Sequence, residues 1–215
     1  MYEAEKKEII KTALMLKEYR LIALSGGNVS IRTKSGHVVV TPSGMLYETM
    51  VPEDVVVIDM EGNTIEGTRK VSVDTEAILY ILKNMPEVNA VIHTHQVYAS
   101  AVGLVEDVLP AAVTTLPNAC LGSVTVAPYS SAASLEMGIT SVKYLNKKRA
   151  VILKNHGVIT VGSTLKEALY AAVYLEDAAK IYIMAKAIGK PSILSEEQVE
   201  VAVSKFKPEN YGQKS

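Results

Sequence analysis

The sequence predicts an α/β fold of three layers, α/β/α, with one sheet covered by helices on both sides. Two observations carry this expectation. Short apolar runs bounded by Gly, Pro and Asn turns recur along the chain, and longer segments with apolar residues at helical spacing stand between them. A third observation sets the scale. With 215 residues, 48% apolar and 21% charged, the chain has a globular balance and the length of a single domain spanning 1–215.

Residues 5–19 place Ile9, Ile10, Ala13, Leu14 and Leu16 on one broad side, which predicts a helix. Ser25-Gly26-Gly27-Asn28 breaks it. Residues 29–32 and 37–41 flank Lys34-Ser35-Gly36 as the arms of a hairpin, and Pro42-Ser43-Gly44 turns the chain again. Residues 55–59 form a β-branched strand closed by Glu61-Gly62-Asn63. Residues 72–85 read as a helix with Ile78, Leu79 and Leu82 on its apolar face and Pro86 as its stop. A strand over 88–92 then runs into His93-Thr94-His95, and a helix begins over 98–104. Val124–Ala127 is strand-like and Leu135–Leu145 helical. Ala150–Leu153 and residues 158–161 are strands on either side of Asn155-His156-Gly157. Thr164 and Glu167 form a capping box for the longest helix, Leu165–Ile188, which Gly189 and Pro191 close. A last helix over 195–206 precedes a polar tail that contains Tyr211.

Composition narrows the function. The net charge is −1 and no basic run is present, so nucleic acid is not an expected partner. Any phosphate must be held by backbone N–H groups and hydroxyls more than by lysines. Cys120 is the only cysteine, which rules out an intrachain disulfide and a cysteine-built zinc site and fits a reducing compartment. The first residues are charged and helical in pattern, without an apolar signal core. No apolar run approaches the roughly 20 residues of a membrane helix. A soluble, cytoplasmic protein is therefore expected.

Three histidines sit where metal ligands belong. Alternation along a strand sends His93 and His95 the same way. His156, at the end of a second apolar run, is the natural third nitrogen. Three imidazoles and an open position describe a catalytic divalent metal site that acts as a Lewis acid. The competing reading is three core histidines bonded to backbone carbonyls, the reading adopted for His37. Asp74 stands at a helix start, where the following strand returns toward the same end. It is either a helix cap or a carboxylate that ligates the metal or moves a proton. The small-residue turns Gly26-Gly27-Asn28 and Pro42-Ser43-Gly44, with Ser72, are plain turns or an anion cradle.

These pieces together resemble the class II aldolase/adducin-head family. The matching segments are SGGNVSIR (25–32), VTPSGM (40–45), SVDTEAIL (72–79), AVIHTH (90–95) and KNHGVITVG (154–162). They stand in the family's order and spacing, and the similarity covers nearly the whole chain. In length and pattern the chain is most similar to the L-fuculose-1-phosphate aldolases. The resemblance implies a mostly antiparallel central sheet and a four-fold homotetramer with active sites between subunits. It implies that His93, His95 and His156 bind one zinc ion per subunit. It also implies that Gly27, Asn28, Ser43, Gly44 and Ser72 cradle the phosphate of a small sugar phosphate. Asp74 takes the place of a glutamate that serves as both metal ligand and acid/base, and Tyr211 matches a tyrosine that reaches a neighbouring subunit's site.

The implied reaction is reversible cleavage of a ketose 1-phosphate, with L-fuculose 1-phosphate as the leading case. The products are dihydroxyacetone phosphate and L-lactaldehyde, and zinc stabilises the enediolate. The chain departs from that pattern in three places. Asp74 is one methylene shorter than the glutamate. Ser72-Val73 replaces a pair of serines. Thr114 stands where the fuculose enzymes carry an active-site tyrosine. The S-x-D-T form of residues 72–75 is similar to the L-ribulose-5-phosphate 4-epimerases of the same family. The epimerase acid, however, has no counterpart in residues 111–127, which contain no Asp or Glu. A non-catalytic, adducin-like scaffold is the third reading.

Overall fold

The computed structural model describes residues 1–205. Its strands are β1 (Gly27–Arg32), β2 (Val38–Val40), β3 (Val56–Ile58), β4 (Thr64–Glu66), β5 (Ala90–Thr94), β6 (Val108–Leu109), β7 (Val124–Ala127), β8 (Ala150–Leu153) and β9 (Gly157–Gly162). Its helices are α1 (Glu3–Glu18), α2 (Thr75–Asn84), α3 (Val97–Val105), α4 (Thr115–Cys120), α5 (Leu135–Leu145), α6 (Leu165–Ile188) and α7 (Glu196–Lys205). The strands form one nine-stranded sheet in the order β4-β3-β2-β1-β5-β9-β8-β7-β6. Only β7 and β8 pair parallel; the other neighbours are antiparallel. The three-layer, mostly antiparallel architecture expected from the sequence is thus present.

The period of two along each strand sorts the apolar side chains onto the two faces. Val38, Val40, Val56, Ile58, Val91, Val151 and Ile159 pack with Ile78, Ile81 and Leu82 of α2 and Met137 and Leu145 of α5. The alternate residues Val39, Val57, Ala90 and Ile92 meet α1 and the start of α6. Ile152 and Val158 meet α3, α4 and the rest of α6. The buried valines of β2 and β3 show no alternation in sequence because both faces of these strands are covered. Parity along β5 puts His93 on the face of Val91, the one that α2 covers.

Several boundaries differ from the sequence reading, each for a local reason. The strand expected over 88–92 is Ala90–Thr94, so His93 lies inside the sheet and His95 one residue beyond it. The helix expected over 72–85 is Thr75–Asn84 with Asp74 at its N-cap position. The short helix α4 was masked by Pro117, which falls in its first turn, where a missing N–H costs nothing. The edge strands β4 and β6, three and two residues long, are too short for a period of two to be read from the sequence. The capping box of α6 is half formed. Thr164 Oγ1 accepts from Glu167 N (3.2 Å), but the Glu167 carboxylate turns to Ser163 N (2.8 Å) and to Arg149. Among the described residues no helix is long and apolar enough to cross a membrane.

Candidate active site

The three histidines arrive from different local structures. His93 is held in β5, whose partners are Asn28 of β1 and Ile159 of β9. His95 follows the strand, before α3. His156 sits in the tight turn between β8 and β9. Asn155 takes the left-handed conformation there (φ 60°), which Asn tolerates better than most residues. The turn also needs Gly157. A Cβ at that position would come within 2.4 Å of the Thr94 carbonyl oxygen and 2.9 Å of His95 Cδ2. Gly27, at φ +139°, is required for a similar reason, since a Cβ there would lie 2.6 Å from the His93 carbonyl oxygen. The glycines of both motifs let neighbouring backbones close in on the histidine-bearing strand.

The rings converge. Their centroids are 4.8 Å apart for His93 and His95, 4.8 Å for His93 and His156, and 5.3 Å for His95 and His156. One ligand nitrogen from each lies within 4.8 Å of the others. Chemically the set fits a metal ion. His93 Nδ1 is 2.9 Å from the Val158 carbonyl oxygen, which can only accept, so Nδ1 carries the proton and Nε2 offers its lone pair. Burial pushes the His93 ring down to about 3 and holds it in the neutral, ligating form. His93 Nε2 and His95 Nε2 are 3.0 Å apart. Two nitrogens at zinc-ligand distance and a tetrahedral angle would be separated by about 3.3 Å. His156 Nδ1 is buried without a hydrogen-bond partner among the described residues. Burial also lowers the His156 pKa, the first of its causes.

Asp74 is 8% exposed and makes no side-chain cap to its own helix. Asn28 Nδ2 donates to its Oδ2 at 2.8 Å. Burial raises its pKa, opposed by His156, the Ala133 backbone N–H, His95 and the Asn28 amide. Asp74 therefore occupies the N-cap position without capping, and its carboxylate faces the histidines. Ser72 Oγ accepts the Asp74 backbone N–H at 3.3 Å, which leaves its own O–H free to donate.

A cavity of about 220 Å³ joins these groups. Gly27, Ser43, Gly44, Ser72 and Asp74 line it together with all three histidines. Among the described residues that line it there is no lysine or arginine. Of the residues the sequence selected for a phosphate cradle, four line the cavity. The fifth, Asn28, lies behind it, 1% exposed, with its amide engaged by Asp74. Thr114 borders a different hollow of about 640 Å³, between α4 and α7. Tyr211 lies outside the described residues.

Sequence reasoning missed Tyr47. Its buried hydroxyl donates to the Gly27 carbonyl at 2.7 Å, and burial pushes its pKa up to about 12. It braces the first glycine of β1 from behind. One tyrosine among 11 gave no local signal of that role.

With this geometry in hand, the relatives become informative. Residues 7–183 match the family model described as Class II Aldolase and Adducin N-terminal domain. The chain is 34% identical to the 5-deoxy-D-ribulose 1-phosphate aldolase of Bacillus thuringiensis serovar kurstaki, over 99% of both chains. It is 31% identical to the L-fuculose phosphate aldolase of Escherichia coli strain K12, over 94% of this chain and 93% of that one. A solved structure of an L-fuculose 1-phosphate aldolase superposes with a TM-score of 0.88 at 31% identity, covering 93% of this chain and 94% of that one. The chain belongs to the class II aldolase and adducin N-terminal domain family, and it is a lyase of the class II aldolase kind.

Proposed function

We propose that the protein, acting as one domain over 1–215, cleaves a ketose 1-phosphate reversibly to dihydroxyacetone phosphate and a short aldehyde with zinc bound at His93, His95 and His156. The observation that supports this most directly is the convergence of three imidazoles and one buried carboxylate on a cavity lined by small, hydroxyl-bearing turns. A zinc ion held there would supply Lewis acidity and so stabilise the negative charge that develops on the substrate's ketone oxygen.

The protein's own groups do the rest. Gly27, Ser43, Gly44 and Ser72 hold the phosphate and so fix the orientation of the C3–C4 bond. As that bond breaks, the C4 hydroxyl loses its proton and becomes the aldehyde oxygen, while C3 takes up a proton. Asp74 is assigned to the proton at C3 and is a second candidate for the metal. Tyr211, from a neighbouring subunit of a homotetramer, is assigned to the C4 oxygen. Apolar side chains left exposed near the Glu106–Lys186 ion pair, Val105 and Met184 among them, support burial against a second copy.

L-Fuculose 1-phosphate, which would yield L-lactaldehyde, remains the leading substrate. 5-Deoxy-D-ribulose 1-phosphate, named for the Bacillus relative, is the nearest competitor. The two share the phosphate, ketone and C3 hydroxyl and differ only beyond the bond that breaks. The S-x-D-T segment ending at Thr75 favours one second reading, epimerisation of L-ribulose 5-phosphate by the same cleavage.

Metal analysis and product analysis test these readings in turn. Purified protein is expected to hold about one divalent metal per chain and to release dihydroxyacetone phosphate from one or both ketose 1-phosphates. Formation of xylulose 5-phosphate alone, from ribulose 5-phosphate, would overturn the aldolase reading. Absence of metal, with no activity gained on adding zinc, would leave a scaffold. Tyr211→Phe is expected to slow cleavage about a hundredfold with metal content intact; loss of metal in this variant would show that the tyrosine is misassigned.

A further inference from the structure

His93 is fixed by the sheet and His156 by a turn between paired strands. His95 has neither support. It stands between the last residue of β5 and the N-cap of α3, and its ring is exposed. Its position follows that of Thr94 and Gln96 on either side of it.

Those anchors are polar and partly or fully buried, and none belongs to the metal site. Gln96, 0% exposed, spans two elements. Its Oε1 accepts from Thr94 Oγ1 at 2.9 Å, and its Nε2 donates to the Ala172 carbonyl of α6 at 2.7 Å. The Gln96 side chain does not cap α3. Instead the Glu176 carboxylate, one turn further along α6, accepts the first free N–H groups of α3. Tyr98 N donates to Oε1 and Ala99 N to Oε2, each at 2.9 Å. A carboxylate at a helix N-terminus makes strong, charge-assisted bonds and suits the helix dipole.

We propose that Glu176, acting with Gln96, is a positioning residue for the metal centre: by tying the start of α3 to α6 it fixes the segment that carries His95. This rests on the reading of the three histidines as metal ligands. Glu176 touches neither metal nor substrate, and its effect passes through two backbone N–H groups. Partners beyond the ligands typically change metal affinity tenfold or more. Coupling is also reciprocal, so metal binding must in turn strengthen the anchor.

The test uses the apo protein and zinc in competition with a chromogenic chelator. Glu176→Gln keeps the shape but puts an amide N–H against one of the two donors. It is expected to weaken zinc binding about tenfold in the folded protein and to alter the visible spectrum of the cobalt-substituted site. A control separates positioning from simple capping. Thr164→Ala removes the cap of α6 beyond the far end of β9 and is expected to lower the thermal midpoint without moving zinc affinity. Folded Glu176→Gln protein with wild-type zinc affinity overturns the proposal. Where that variant does not fold, amide exchange in the wild type decides. Zinc is expected to slow exchange at Tyr98 and Ala99, and equal rates with and without zinc overturn the proposal. A wild type that binds no zinc overturns the metal centre and this inference with it, whereas unequal failure of the variant alone cannot arise from that cause.

Discussion

Asp74→Asn is expected to lower kcat for ketose 1-phosphate cleavage by about two to four orders of magnitude, the range for loss of a positioned proton-transfer group. The side chain keeps its size. Its carbonyl oxygen can still accept from Asn28 Nδ2, the bond that holds Asp74 now at 2.8 Å. The fold should therefore be retained, since Asp74 contributes no side-chain cap to α2. What the amide lacks is an exchangeable proton of suitable acidity. Steady-state release of dihydroxyacetone phosphate, with metal content measured on the same sample, checks this. Full turnover in the variant would reduce Asp74 to an occupant of the helix start. Loss of metal along with turnover would make it a ligand first.

Gly157→Ala should cost both stability and metal. Its Cβ would overlap the Thr94 carbonyl oxygen at 2.4 Å and press on the His95 and His93 rings. Neither neighbour is a flexible tip: Thr94 is in the strand, paired with Val158 of β9. Relief requires β5 and β9 to part. Overpacking of this kind costs about 1–3 kcal/mol, and zinc affinity should fall at least about tenfold as the rings move apart. Thermal melts of apo protein and chelator competition measure the two effects separately. A variant with wild-type affinity would show that the rings can re-form the site around the added methyl.

The sequence carried most of the fold because its signals were local. Alternation, glycine-rich breaks and the Thr164 cap mark strands and helices without knowledge of their neighbours. The pieces it did not carry are those that tertiary structure alone creates. β4 and β6 exist as edge strands because β3 and β7 offer them free hydrogen-bonding groups. Within the site, the histidines were legible as H-x-H and N-H-G, since a repeat of two and a turn residue say where the rings point. Asp74 was visible only as a choice between cap and carboxylate, and the choice required Asn28, 46 residues away. Glu176 and Gln96 left no trace, because the contacts that join α3 to α6 run from their side chains to backbone groups of the other element, and backbone groups have no letter in a sequence.

The histidine-bearing strand lies at the centre of the sheet, with four strands on each side. Frayed or altered edges are far from it in hydrogen-bond order, and local opening is rarest where both neighbours are paired. The chemical centre is thus insulated from change at the rim. Loops and edge strands away from the cavity can be rebuilt over generations to admit a different aldehyde while the three imidazoles keep their places. A scaffold of this design separates the evolution of substrate choice from the preservation of the reaction.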